Sequence, residues 1–206
     1  MAASRSDPGS RVRHVGERRR ARLLGVLHRH LAAGRHRANP HRARRRRRCH
    51  QRQRGPRLDP RRHLRGTDRP LSAFVDTNVF VYLYDHAEVD KQRVARATLT
   101  DAAEDLVIST QVLTEFFWVA TRKLNLDPRA AREGVRQMAA LRVVPVDHRL
   151  VLRATDTALS ARLSIWDALI VEAAAAAGAD RLLTEDFNAG QIIRDVQVVN
   201  PFAASR

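Results

Sequence analysis

Four acidic residues sit where a solvated surface would not place them. Asp76 closes the apolar run of FVDTNVF (74–80). Burying an unpaired carboxylate costs several kcal/mol, roughly, unless a partner or a metal compensates it. Glu115 lies in QVLTEFFWVA (111–120), where its helical neighbours are Val112, Trp118 and Val119. Asp167 lies in SIWDALIVEA (164–173), with Ile170, Val171 and Ala174 on its side of a helix. Asp186 follows the apolar RLLT (181–184) in the loop TEDFNAG. Glu133, by contrast, keeps the company of Arg136 and Gln137, an ordinary solvated face. Four carboxylates brought together would repel, and some would hold protons. A divalent cation removes that conflict. A donor set of oxygens, with neither Cys nor His, favours Mg²⁺ or Mn²⁺ over Zn²⁺. Each acid also has an ordinary alternative. Asp76 can cap the helix after it, Glu115 can pair with an Arg such as Arg122, Asp167 suits the first turn of a helix, and Asp186 suits a turn.

The elements that must position these residues are legible from residue 71 onward. Short apolar strands are expected at 73–75, 106–109, 143–146 and 181–184, with a fifth at 197–199. Helical patterns occupy 78–84, 91–103, 110–123 with Thr110 as cap, a segment opened by Asp127-Pro128, 148–162, and a helix capped by Ser164 that runs to Gly178. Strands alternating with helices predict a three-layer α/β/α domain around a mainly parallel sheet of four to five strands. The carboxyl ends of parallel strands line one edge, where ligands bind. Asp76 and Asp186 fall on that edge, and Glu115 and Asp167 fall near the starts of helices that leave it. Phe117 and Trp118 are expected in the core, while Phe80, Tyr82, Tyr84 and the 91–103 helix are expected to offer partner-binding surface.

The ordered set FVDTNVF, TEFF, SIWDALI and LLTEDF resembles the acidic motifs of PIN-domain nucleases, and more closely the VapC-type toxins of bacterial toxin–antitoxin pairs. The terminal VVNPF (198–202) is similar to the same group, so the resemblance spans about 71–202. It implies metal-dependent hydrolysis of RNA phosphodiester bonds, with Asp76, Glu115, Asp167 and Asp186 as catalytic metal ligands. It places the fourth acid at Asp186 rather than Glu185, because the group's pattern is T-x-D. Thr77, Asn78, Ser164 and Asn188 are candidates for supporting roles; Asn78 and Ser164 also read as helix caps. Arg122, Lys123 and Arg181 are candidates for holding RNA. The implied partners are RNA, a cognate antitoxin lying across the active-site groove, and a second copy in a homodimer. Competing readings are an inactive PIN fold used for interaction and a phosphatase with a nucleophilic Asp. The second fits poorly, since Asn78 stands where such enzymes usually carry a second acid.

Composition divides the chain in two. Its 206 residues carry a net charge of +16, but residues 1–70 alone hold 23 Arg, no Lys and 4 acids, a net +19. The remaining 15 basic and 18 acidic residues net −3. The segment 1–70 includes five consecutive arginines (44–48) and lacks an apolar period apart from ARLLGVLHRHLAA (21–33), a composition expected to be disordered. It reads as a phosphate-holding basic arm, as a solvated tail, or as translation from too early a start or in the wrong frame of a GC-rich gene. The last reading, favoured by Arg without Lys, places the native start near Leu71. A basic nucleic-acid-binding protein acting through 1–70 is the remaining alternative. The single Cys49 excludes an intrachain disulfide. No run approaches a transmembrane helix and no secretory h-region is present, so a cytoplasmic setting is expected.

Overall fold

A computed structural model describes residues 72–102 and 105–203. The chain alternates strand and helix: β1 (Ala73–Val75), α1 (Thr77–Val81), α2 (Val89–Asp101), β2 (Leu106–Ser109), α3 (Thr110–Arg122), α4 (Pro128–Met138), β3 (Arg142–Val144), α5 (His148–Ala161), α6 (Ile165–Ala176), β4 (Arg181–Leu183), β5 (Ile192–Ile193) and β6 (Val196–Val199). The expectations for 1–70, including Cys49, lie outside the described residues.

The sheet runs β3-β2-β1-β4-β6-β5, and every pairing is parallel except β5 with β6. Six strands thus replace the expected four to five. The addition is β5, two residues long. It turns back into β6 through Arg194 and Asp195, both at positive φ (52° and 64°). A two-residue hairpin turn of this hand usually shows itself by Asn-Gly or Asp-Gly, and Arg-Asp gives no such signal. The architecture is the expected three-layer α/β/α.

β1 and β2 are buried on both faces, which is why they read as unbroken apolar runs. Helix α6 is buried almost continuously from Ala168 to Ala174 and packs on β2, β4 and β6, with α5 beside it. Helix α3 buries Val112, Phe116 and Ala120, and packs against α1 and α4. The approach of α4 is close: a Cβ on Gly134 would stand 2.9 Å from the Phe116 ring and 3.0 Å from the Tyr84 hydroxyl.

Helix starts follow the capping chemistry in part. Asp127 accepts from the amides of Arg129 and Ala130, Asp147 from that of Leu150, and Ser164 from that of Asp167. Gly178, at φ +65°, marks the stop of α6. Two expected caps are not caps. Ser109, not Thr110, holds the N-cap of α3; the Thr110 hydroxyl instead accepts from the amide of Val146 and ties α3 to the chain after β3. Asn78 lies inside α1, whose cap is Asp76.

The described part of the sheet has a topological switch point. From β1 the chain proceeds outward to β2 and β3 on one side, then returns to β4 on the other. The crevice at the carboxyl ends of β1 and β4 is where such sheets bind ligands.

Candidate active site

Asp76 follows β1 directly and Thr184 follows β4, with Val75 and Leu183 in register. The amide of Asp76 donates to the Leu183 carbonyl at 3.0 Å, so the ladder continues to the mouth of the crevice. The Asp76 side chain is buried there. Its Oδ1 accepts from the Thr77 amide at 2.6 Å, and its Oδ2 from the Thr184 hydroxyl at 2.7 Å and from Asn78 Nδ2 at 3.3 Å.

The other acids gather round it through shared donors. Asn78 Nδ2 also donates to Asp186 Oδ2 at 3.1 Å and to Thr184 Oγ1 at 3.2 Å. Thr184 Oγ1 accepts from the Asp186 amide at 3.1 Å. The Thr77 hydroxyl donates to Glu115 Oε2 at 3.1 Å, linking α1 to α3. Asp167 stands in the first turn of α6, its amide held 3.1 Å from the Ser164 hydroxyl. Its carboxylate makes no hydrogen bond to another described residue, but its charge acts on Asp186.

These contacts link Asp76, Glu115 and Asp186 through Thr77, Asn78 and Thr184. Asp167 is not bonded into that network; its charge reaches Asp186, and Ser164 holds only its backbone amide. Asn188 is different: it lies on the exposed loop beyond Asp186, and its described bond is a backbone one, its carbonyl accepting from Gln191. Arg181 opens β4 at its amino end, the edge opposite the acids.

Glu185 and Asp186 are adjacent in sequence and separate in role. Glu185 accepts from the Tyr82 hydroxyl and pairs with Lys91 Nζ at 2.7 Å. Lys91 also donates to the Tyr82 hydroxyl at 2.6 Å and lies over the Tyr82 ring, which stacks edge-on against Phe202. Glu185 is therefore paired with Lys91 and Tyr82, whereas Asp186 is held by Asn78 beside Asp76.

Among the described residues no Lys or Arg pairs with Asp76, Glu115, Asp167 or Asp186. Burial, and then the charges of Asp186 and Glu115, push the Asp76 carboxyl up to about 7, against the opposing pull of its Thr184 and Thr77 hydrogen bonds. Burial and the charges of Glu185 and Asp167 raise Asp186 as well. Asn78 Oδ1 is buried and has no hydrogen-bond partner in the structure. Unneutralised carboxylates beside an orphaned amide oxygen form a hard, oxygen-only donor set that fits Mg²⁺. No three Asp, Glu, His or Cys side chains among the described residues stand close enough to enclose an ion unaided.

The sequence reasoning missed Thr184. Its hydroxyl donates to Asp76 and accepts from Asn78 and from the Asp186 amide, so it joins three members of the site. The available signal was a hydroxyl placed at the end of an apolar strand, two residues before an acid. Three other expectations are overturned. Glu115 is exposed; the buried stripe of α3 is Val112, Phe116 and Ala120. Phe117 and Trp118 are exposed rather than core, because they fall between those buried positions. Phe80 is core rather than surface, while Tyr82 and Tyr84 are only partly buried.

The family model for the PIN domain matches residues 73–193. The chain belongs to the PIN-domain family. This PIN domain is similar to several solved structures. A toxin–antitoxin complex from Klebsiella pneumoniae is 21% identical, with 63% of this chain and 98% of that chain covered and a TM-score of 0.49. VapC20 from Mycobacterium tuberculosis, described as a toxin that cleaves the sarcin–ricin loop, is 22% identical, with 54% and 87% covered and a TM-score of 0.47. DNA-bound VapBC from Salmonella typhimurium is 18% identical, with 63% and 97% covered and a TM-score of 0.48. None of the curated proteins matches the chain. No helix among the described residues of the PIN domain is long and apolar enough to cross a membrane.

Proposed function

We propose that the protein is a metal-dependent endoribonuclease that hydrolyses RNA phosphodiester bonds and serves as the toxin of a toxin–antitoxin pair. The observation that carries the reading is the buried, unneutralised Asp76, held by Thr77 and Thr184 beside Asp186 and Glu115 in the switch-point crevice of a PIN domain. The toxin assignment rests on the resemblance of the four motifs and VVNPF to VapC-type toxins. A cognate antitoxin, a homodimer and a cytoplasmic setting belong to the same reading, as does a functional unit spanning 71–206 with 1–70 dispensable.

Asp76, Glu115, Asp167 and Asp186 would hold Mg²⁺ or Mn²⁺, directly or through water. A bound divalent ion lowers the pKa of a water and offsets charge on the phosphoryl oxygens. The chain's own residues set the stage. Thr77 N–H and the Thr184 hydroxyl fix the Asp76 carboxylate and favour its ionised form. The Thr77 hydroxyl orients Glu115, and Asn78 Nδ2 bridges Asp76 and Asp186. Ser164 fixes the turn that carries Asp167.

The test incubates the full chain, residues 71–206, and Asp76→Asn versions of both with a mixed RNA pool in Mg²⁺, in Mn²⁺ and in EDTA. Metal-dependent cleavage by both lengths, lost in Asp76→Asn, is expected. Cleavage that survives EDTA or Asp76→Asn overturns the site. Activity confined to the full chain overturns the dispensability of 1–70.

A further inference from the structure

The chain contains two tryptophans, and both stand in the open beside the acids: Trp118 is 55% exposed and Trp166 is 66% exposed. Their placement, rather than their exposure alone, is informative. Gln111, Glu115, Trp118 and Arg122 follow one another at spacings of four, three and four, which is one face of α3. At the start of that stripe, Gln111 Nε2 donates to the Trp166 carbonyl at 3.2 Å, joining α3 to the first turn of α6. At its far end, Lys123 Nζ lies 5.5 Å from the centre of the Trp118 ring. The surface therefore runs in order from Trp166 through Gln111, Glu115 and Trp118 to Arg122 and Lys123. At about 1.5 Å of rise per residue, Gln111 and Trp118 are about 10 Å apart along α3, with Glu115 between them.

We infer that Trp166 and Trp118 are stacking platforms for two unpaired bases of a single-stranded RNA, one beside Asp167 and one beside Glu115. The inference rests on the proposed nuclease reading and adds how the substrate is held. A partner helix packs best on a continuous apolar stripe at i, i+3 and i+4. Here flat rings alternate with an amide, a carboxylate and cations. That alternation matches a strand whose bases stack while its phosphates pass cationic and metal-binding groups. Asp167 is the next residue after Trp166, and Glu115 precedes Trp118 by one helical turn, so each ring is tethered to an acid of the site.

Because the chain has no other tryptophan, its fluorescence excited at about 295 nm, where the two tyrosines do not absorb, reports on these two positions alone. The full-length chain would be mixed in a stopped-flow instrument with a short single-stranded RNA in Mg²⁺ at about 0.3 M salt, where the electrostatic contribution of the Arg-rich segment is weakened. Cleavage would be read from the same samples, and a fully duplex RNA would serve as comparison. Fluorescence should fall on mixing with the single strand, before product accumulates, and should not fall with the duplex. Trp118→Leu and Trp166→Leu should each remove part of the fall and move its midpoint about 5- to 100-fold higher. Trp→Phe at either position should restore the midpoint, because a ring is retained. Cleavage with unchanged fluorescence would overturn the stacking and leave the nuclease reading standing. A fall without cleavage would support the stacking and count against the nuclease. Unchanged fluorescence without cleavage would overturn both. Equal behaviour of Leu and Phe variants would also overturn the stacking, since apolar contact alone would then suffice.

Discussion

Replacing Asp76 by Asn should stabilise the metal-free protein at alkaline pH and destabilise it at acid pH. Burial and neighbouring acids raise the Asp76 carboxyl from its ordinary 3.8 to about 7. Between those values the folded protein holds a proton that the unfolded chain has released. Stability therefore falls as pH rises through this window, by about 1.36 kcal/mol per pH unit or about 4 kcal/mol in all. The variant escapes that loss. It keeps an acceptor for the Thr77 amide, but its NH₂ meets Asn78 Nδ2 and a Thr184 hydroxyl that already accepts twice. A lost or mismatched hydrogen bond of this kind costs about 1–2 kcal/mol at any pH. The variant should be about 2 kcal/mol more stable at pH 8 and less stable at pH 4, with the curves crossing between about pH 4 and 6. Urea unfolding of both proteins in EDTA across pH 4–8 measures this. Adding Mg²⁺ at pH 8 should then stabilise the wild type, by about 2.7 kcal/mol at a hundred times Kd, and not the variant. A difference that does not change with pH would refute the reasoning, because it would mean that the Asp76 charge is already compensated.

Other outcomes follow from the same contacts. Thr184→Val keeps the shape of the side chain but removes the hydroxyl shared by Asp76, Asn78 and the Asp186 amide; Mg²⁺ affinity, read by calorimetry, should fall about 10- to 100-fold. The chain's two tyrosines, Tyr82 and Tyr84, are both pushed up to about 12, chiefly by burial, so phenolate absorbance at 295 nm should be absent below about pH 11 while the protein stays folded. Ionisation of either near pH 10 in folded protein would contradict their packing. Gly134→Ala should cost about 1–3 kcal/mol in thermal or urea unfolding, because its Cβ would press on the Phe116 ring and the Tyr84 hydroxyl across the α3–α4 contact.

The strands were readable because strands buried on both faces are continuous apolar runs. Asp76 and Asp186 were readable because each follows such a run. Glu115 was singled out for a reason the structure reverses. Of the apolar neighbours on its side, Val112 is buried, Val119 half-buried and Trp118 exposed, so Glu115 lies at the margin of the buried stripe, a margin that periodicity alone does not place. The same ambiguity misplaced Phe117 and Trp118, and it misplaced Phe80 in the opposite direction. Thr184 escaped notice because its role is to bridge residues more than a hundred positions away, which no local pattern records. Glu172 escaped for the same reason. It sits in the apolar run of α6, buried, and is held by the Thr157 hydroxyl at 2.6 Å, Arg194 at 2.9 Å and Arg153 at 3.5 Å. The arginines come from α5 and from the β5–β6 turn, so their convergence exists only in the folded chain.

The two outermost strands bear on how copies of this chain can meet. β5 presents only two residues at one margin of the sheet and β3 only three at the other. Free backbone donors and acceptors on a long, flat margin invite another chain to add a strand, the usual route to filaments and domain exchange. These margins are too brief to template such growth. Beyond β3, the Val146 amide is already taken by Thr110. Association through the described residues would then fall to side chains on the helical faces, where point substitutions can dissolve it, and it would close on itself only if the same patch of both copies took part.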